Sequence, residues 1–235
     1  MSIPTYRHII ILLLCMSSGI VDVVGYISLG HVFTANMTGN IVLMGLAIGH
    51  VEGLAVLRSI TALLGFVAGT AIAALIVNRD KLPSVWPASV TIALTIEAVI
   101  LIIFAVSSSW FKGSETMVYF LIALLSLAMG MQTTAARRLG IAGISTTVLT
   151  NNLANVIEDG IHQLRLLIRR ETKNTLSRDS LLRLLAVVIY CLGAIIGTLA
   201  EVSYPLAIVW VPIAVLGGII VAAGIRFRND SAVYK

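Results

Sequence analysis

Apolar residues run along this chain in long blocks, separated by short polar stretches. A bilayer-spanning helix needs about 20 consecutive apolar residues. Six blocks meet that length, at roughly 8–28, 54–78, 88–108, 117–136, 181–202 and 205–224. Two further stretches, near 30–49 and 140–160, break the pattern with Thr, Asn and Gly. The first contains "HVFTANMTGN", residues 31–40. Gly39 and the β-branched and Asn residues disfavour one continuous helix there. The stretch reads instead as an extended lead-in, followed by a helix of about three turns over 37–48, with Thr34 or Asn36 as its cap. The second stretch repeats the plan, with Thr146 or Thr150 as cap candidates. Non-helical backbone at membrane depth survives only where protein surrounds it or water lines it. The predicted fold is therefore an all-α polytopic membrane protein, with six spanning helices and two broken, re-entrant polar helices.

The two polar stretches match one another. Asp22 and Gln132 each lie eight residues before the Gly of a Leu-Gly pair, Gly30 and Gly140. Thr34-x-x-x-Thr38-Gly39-Asn40 matches Thr146-x-x-x-Thr150-Asn151-Asn152, and "LGFVAGT" (64–70) matches "LGAIIGT" (192–198). Three matches in one order indicate a duplication. Within a single transmembrane domain, 1–235, the first copy covers about 8–108 and the second about 117–224. Three crossings per copy make the repeats inverted, an arrangement frequent in transporters. Gly65-x-x-x-Gly69 and Gly193-x-x-x-Gly197 read as close helix-packing faces.

Composition agrees with a membrane location. Charged residues are 11% and hydrophobic residues 58%, with a mean hydropathy of +1.01; a soluble domain carries about 25% charged residues. The net charge of +5 reflects basic loops, so its use is topological rather than as a sign of nucleic-acid binding. With the N-terminus inside and six crossings, 14 of the 16 Lys and Arg residues are cytoplasmic, and only Arg58 and Lys112 are outside. Eight crossings, with both polar stretches spanning, would leave 12 of 16 inside. The six-span arrangement fits better, with both termini cytoplasmic. The first block resembles a signal peptide at its start, but continues past "SSG" to complete a span. The basic insertion at about 168–180 reads as a cytoplasmic connection near anionic lipid. Cys15 and Cys191 fall inside spans and read as small packing residues.

The candidate chemistry is concentrated in few residues. Two helix starts facing each other would present free N–H groups and partial positive charge. Thr34, Asn36, Thr38 and Asn40 on one side, and Thr146, Thr150, Asn151 and Asn152 on the other, with Gln132, are the candidate solute-binding residues. Such a site suits a carboxylate, another small anion or a polar neutral solute. The structural alternative is that these groups only tie the broken helices together. Asp22, deep in the first span, costs roughly 2.5–3.5 kcal/mol to insert; proton coupling is one explanation, and capping an adjacent backbone end is the other. Glu97 is a second proton-coupling candidate. Glu201 is expected to reach the interface, and Glu158 and Asp159 to be solvated beyond the second polar helix. The chain shows no Ser/His/Asp set, HExxH, Walker motif or dinucleotide loop, so an enzyme is not expected; nor is a cofactor or a metal.

"SGIVDVVGYISLGHVFTANMTGN" together with "GMQTTAARRLG…STTVLTNN" resembles the YoaK-like family of bacterial inner-membrane proteins, a group of unknown function. The resemblance covers nearly the whole chain and implies an inner-membrane location and this architecture. The reading is then a transporter of a small polar or anionic solute. A passive channel with the same polar centre and a non-transporting membrane scaffold or regulatory subunit remain as alternatives. The expected partners are a small-molecule solute and membrane lipid, not nucleic acid, and a homodimer is left open.

Overall fold

The computed structural model describes residues 3–78, 86–110, 114–141, 144–147, 149–168 and 178–226. Among these, the chain is helical throughout: α1 (Ile3–Ser28), α2 (Met37–Ile48), α3 (Val56–Val77), α4 (Ala88–Ser108), α5 (Glu115–Arg138), α6 (Leu149–Ile168), α7 (Arg178–Ser203) and α8 (Trp210–Arg226), with a short 3-10 turn at Ala207–Val209 leading into α8. Six helices are long and apolar enough to cross a membrane: α1, α3, α4, α5, α7 and α8 with its leading turn. They fall on the six apolar blocks. Most of the basic insertion, and Arg79, Lys81, Lys112, Arg228 and Lys235, lie outside the described residues.

The two polar stretches form the remaining helices. At 12 residues, α2 is about 18 Å long, too short for a bilayer core of about 30 Å. The longer α6 has 20 residues and carries polar and charged groups along one side. Glu158 and Asp159 therefore lie within α6 rather than beyond it. Glu158 is exposed and Asp159 partly so, as expected, and Ser180 and Arg183 of α7 both donate to Asp159 Oδ2, Arg183 at 3.4 Å.

The two most extensive helix pairs are α3 with α5 and α1 with α7. Each joins the first helix of one half to the Gly-rich helix of the other. Both depend on glycine. A methyl group on Gly69 would overlap the Leu127 carbonyl of α5, and one on Gly193 would overlap the Met16 carbonyl of α1. From the opposite sides, Gly130 abuts Phe66 and Gly19 abuts Tyr190. The matched GxxxG motifs thus act as close-packing faces.

The partners in each pair run parallel, as Gly193 and Gly197 meet Met16 and Ile20, and Gly65 and Gly69 meet Ala123 and Leu127. By contrast, α1 and α5 run antiparallel. Arg7, near the start of α1, donates to the carbonyl of Leu139 just past the end of α5. Further along, Gln132 Nε2 donates to Leu14 O at 3.1 Å and to Ser18 Oγ at 2.7 Å.

Large apolar side chains stand exposed along the outer faces: Leu57, Leu64 and Leu75 of α3, Ile92 and Val99 of α4, and Ile195 and Leu199 of α7. On a soluble domain so much exposed apolar surface would drive association; against lipid it is the expected exterior. Glu201 departs from expectation. It is buried, and its Oε1 accepts from Ser28 and, at 2.8 Å, from the Leu206 N–H. The turn before α8 has Leu206 at φ +65°, and Glu201 ties that turn to the end of α1. Proximity to a span end suggested interfacial exposure, but the local backbone needed an acceptor.

Candidate functional site

The segment leading into α2 is built on Asp22. After α1, Gly30 at φ +85° and His31 at φ +60° turn the chain back, and residues 33–36 run beside α1. Asp22 Oδ1 accepts the N–H groups of Thr34 at 2.8 Å and Ala35 at 2.7 Å, with Asn36 N–H at 3.4 Å. Its Oδ2 accepts from the Tyr190 hydroxyl of α7 at 2.6 Å. These donors offset the cost of placing a carboxylate at this depth. Asn36 then serves as N-cap of α2, its side chain accepting from Gly39 N–H at 3.2 Å. Asn40 pins the same segment from within the helix: Phe33 N–H donates to its Oδ1 at 2.9 Å, and its Nδ2 donates to Phe33 O at 2.5 Å.

The segment leading into α6 follows the same outline. Asn152 Nδ2 donates to Ser145 O at 3.1 Å, the same seven-residue reach that Asn40 makes to Phe33. Thr133 of α5 and Thr147 share a hydrogen bond at 3.2 Å between hydroxyls. Thr133, next to Gln132, thus docks the second lead-in segment onto α5, as Asp22 docks the first onto α1. Gln132 faces α1 instead, where it bonds Leu14 and Ser18.

Both lead-in segments open onto one cavity. A space of about 340 Å³ is lined by Asn36, Thr38, Gly39 and Val42 at the start of α2, by Thr147, Leu149 and Thr150 at the start of α6, and by Tyr190. The starts of two helices, with their N–H ends, therefore border the same space. Of the sequence candidates, Asn36, Thr38 and Thr150 line this cavity. Thr34, Asn40, Thr146 and Asn152 are buried and do not line it; Thr34, Asn40 and Asn152 hold backbone. Asn151 is exposed on α6, and Gln132 lies between α5 and α1. The structure thus divides the polar pattern into groups that tie the lead-in segments and groups that face the space.

Tyr190 was not a sequence candidate. It bonds Asp22, lines this cavity, and also lines a second space of about 370 Å³ between α1 and α7. A signal for it existed, because a tyrosine inside an apolar span normally finds a partner for its hydroxyl. Glu97 is fully buried on the inner stripe of α4 formed with Val90, Leu94, Leu101 and Phe104. Neither carboxylate oxygen has a hydrogen-bond partner among the described residues, and it lines neither cavity. No group of three or more His, Cys, Asp or Glu suited to a metal occurs among the described residues.

Six membrane-capable helices around buried polar segments define a multi-pass membrane protein. The chain belongs to the family described as "Protein of unknown function (DUF1275)", which it matches over residues 10–222. It is 50% identical over 230 residues to UPF0700 transmembrane protein YoaK of Bacillus subtilis (strain 168), covering 98% of this chain and 100% of that protein. No solved structure matches.

Proposed function

We propose that this protein is a bacterial inner-membrane transporter of a small polar or anionic solute, which occupies the cavity between the starts of α2 and α6. The observation that carries this reading is that Asn36 and Thr38 of the first half line the same space as Thr147 and Thr150 of the second. Two helix starts favour negative or hydrogen-bond-accepting groups through their N–H dipoles. The two halves are inverted repeats, and α2 is re-entrant. The antiparallel course of α1 and α5, the parallel cross-pairs and the shortness of α2 support that reading. Both termini lie in the cytoplasm, in keeping with the distribution of basic residues.

Coupling to protons runs through Asp22. Its Oδ1 faces only N–H donors and is fixed as an acceptor. Its Oδ2 faces the Tyr190 hydroxyl, which can accept as well as donate. A proton is therefore accommodated at Oδ2 by reversing one hydrogen bond. Glu97 is the second proton carrier, since a buried carboxylate without a donor is stable there only when a proton or another cation neutralises it.

A solute-uptake screen in proteoliposomes under an imposed pH gradient tests the proposal. Uptake of a small polar or anionic solute is expected, with loss of gradient-driven uptake in Asp22→Asn while solute binding persists. Wild-type transport by a folded Asp22→Asn protein removes Asp22 from the coupling mechanism, and uptake of no polar solute returns the scaffold reading.

A further inference from the structure

We propose that the groove between α1 and α7 is a second ligand site, taking a small lipophilic cation of the quaternary alkylammonium class. The groove encloses about 370 Å³ and is separate from the polar cavity, sharing only Tyr190 with it. Gly19 of α1 and Ala194 of α7, where the two helices approach closely, form part of the lining, and three aromatic rings, Tyr26, Phe33 and Tyr190, stand around it. Tyr26 and Phe33 stack with centroids 5.3 Å apart and an interplanar angle of 25°, which fixes their orientation. Asp22 is the charged side chain in the lining.

Each feature narrows the ligand. The carboxylate disfavours anions. The apolar walls supply almost no groups to bond a sugar or an amide. A small inorganic cation needs several oxygen ligands to replace its hydration shell, and the walls do not provide them. An alkylated ammonium is weakly hydrated, and its charge is attracted both to ring faces and to a nearby carboxylate. The hydrogen bonds of Asp22 decide between amine classes. A carboxylate offers about two lone-pair directions on each oxygen; Oδ1 is taken up by the Thr34, Ala35 and Asn36 N–H groups, and Oδ2 accepts the Tyr190 hydroxyl, which leaves one direction at Oδ2. Asp22 is only 3% exposed. It has charge to offer but at most one acceptor direction, at Oδ2, against the three N–H donors of a primary ammonium, so the structure favours a cation that needs no hydrogen bond. A quaternary ammonium meets that condition, and a primary amine does not.

The test is calorimetric titration of the full-length protein in maltoside micelles with three probes of one shape class. These are benzyltrimethylammonium, its neutral carbon isostere neopentylbenzene, and benzylamine. The quaternary cation is expected to bind best, benzylamine more weakly, and the isostere not measurably. Asp22→Asn keeps an Oδ1 acceptor for the three N–H groups and removes the charge; it is expected to weaken cation binding by tenfold or more. Phe33→Leu keeps an apolar wall and removes one ring, and a loss of about two- to fivefold is expected. If Asp22→Asn does not fold, the isostere comparison and Phe33→Leu decide. Equal binding of the isostere and the cation, tighter binding of benzylamine, or wild-type affinity in the folded variants overturns the proposal.

Discussion

A carboxylate holds the segment before α2, and a hydroxyl holds the segment before α6. Both segments leave a helix through a left-handed glycine, Gly30 or Gly140. Both are pinned by an Asn seven residues along, Asn40 or Asn152, and both lead to a helix start at the same cavity. The anchors on the neighbouring helix differ: Asp22 collects three N–H groups and a tyrosine hydroxyl, whereas Thr133 meets Thr147 among the described residues of the second segment. Among the described residues, the second segment is docked by a hydroxyl pair and an Asn, with no carboxylate. A buried acid is costly in a membrane helix, so docking alone is a weak reason for Asp22. Its asymmetry supports the assignment of coupling to one half of the molecule, while the duplicated parts supply shape.

The largest expected effect separates the two anchors. Asp22→Ala leaves two close N–H donors and the Tyr190 hydroxyl unpaired, and a loss of about 3 kcal/mol or more in unfolding free energy is expected. Thr133→Ala removes one neutral hydroxyl pair and should cost about 1 kcal/mol. Reversible unfolding in mixed micelles reads both; equal losses would erase the distinction between the halves. The pinning residues come next. Asn40 makes two bonds to Phe33 and Asn152 one to Ser145, so Asn40→Ala should destabilise by about 1–2 kcal/mol and Asn152→Ala by about half as much. A larger loss at Asn152 would show that the second segment rests on contacts other than this one. The smallest effect concerns the cavity wall. Thr38→Val and Thr150→Val each keep the side-chain shape and remove a hydroxyl, and each should weaken solute binding by about 0.5–1.5 kcal/mol without changing the fold. A loss from one replacement only would mean that the solute uses a single half.

Much of this was legible along the chain. The six apolar blocks, the start of α2 at Met37 and the Asn36 cap follow from hydropathy and capping chemistry, which are local. The Gly-x-x-x-Gly faces were readable because their spacing is itself the packing geometry. The division of polar residues between wall and tie was not. Thr34 and Asn40 belong to the same motif as Thr38, yet Thr34 precedes the helix and Asn40, two residues beyond Thr38, points to the opposite side of α2. The docking role of Thr133 was hidden as well, because its contact with Thr147 depends on how the chain folds back along α5. Tyr190 lies far from Asp22 in sequence, and only the close approach of α7 at Gly193 brings its hydroxyl within reach. Glu201 was misplaced for a related reason, since the turn that it caps comes after it in the chain.

Whether the two halves share one site is tested most directly by distance across the cavity. Cysteines introduced by Thr38→Cys and Thr150→Cys, in a background where Cys15 and Cys191 are replaced, would stand on walls contributed by α2 and α6. Treated in the membrane with a short bifunctional thiol reagent, the double variant should form a crosslink within one chain, and neither single variant should. Both positions should also react with small water-soluble thiol reagents. Absence of an intramolecular crosslink, with both positions labelled only by lipid-soluble reagents, would contradict a shared aqueous site and leave the paired polar segments as structural breaks.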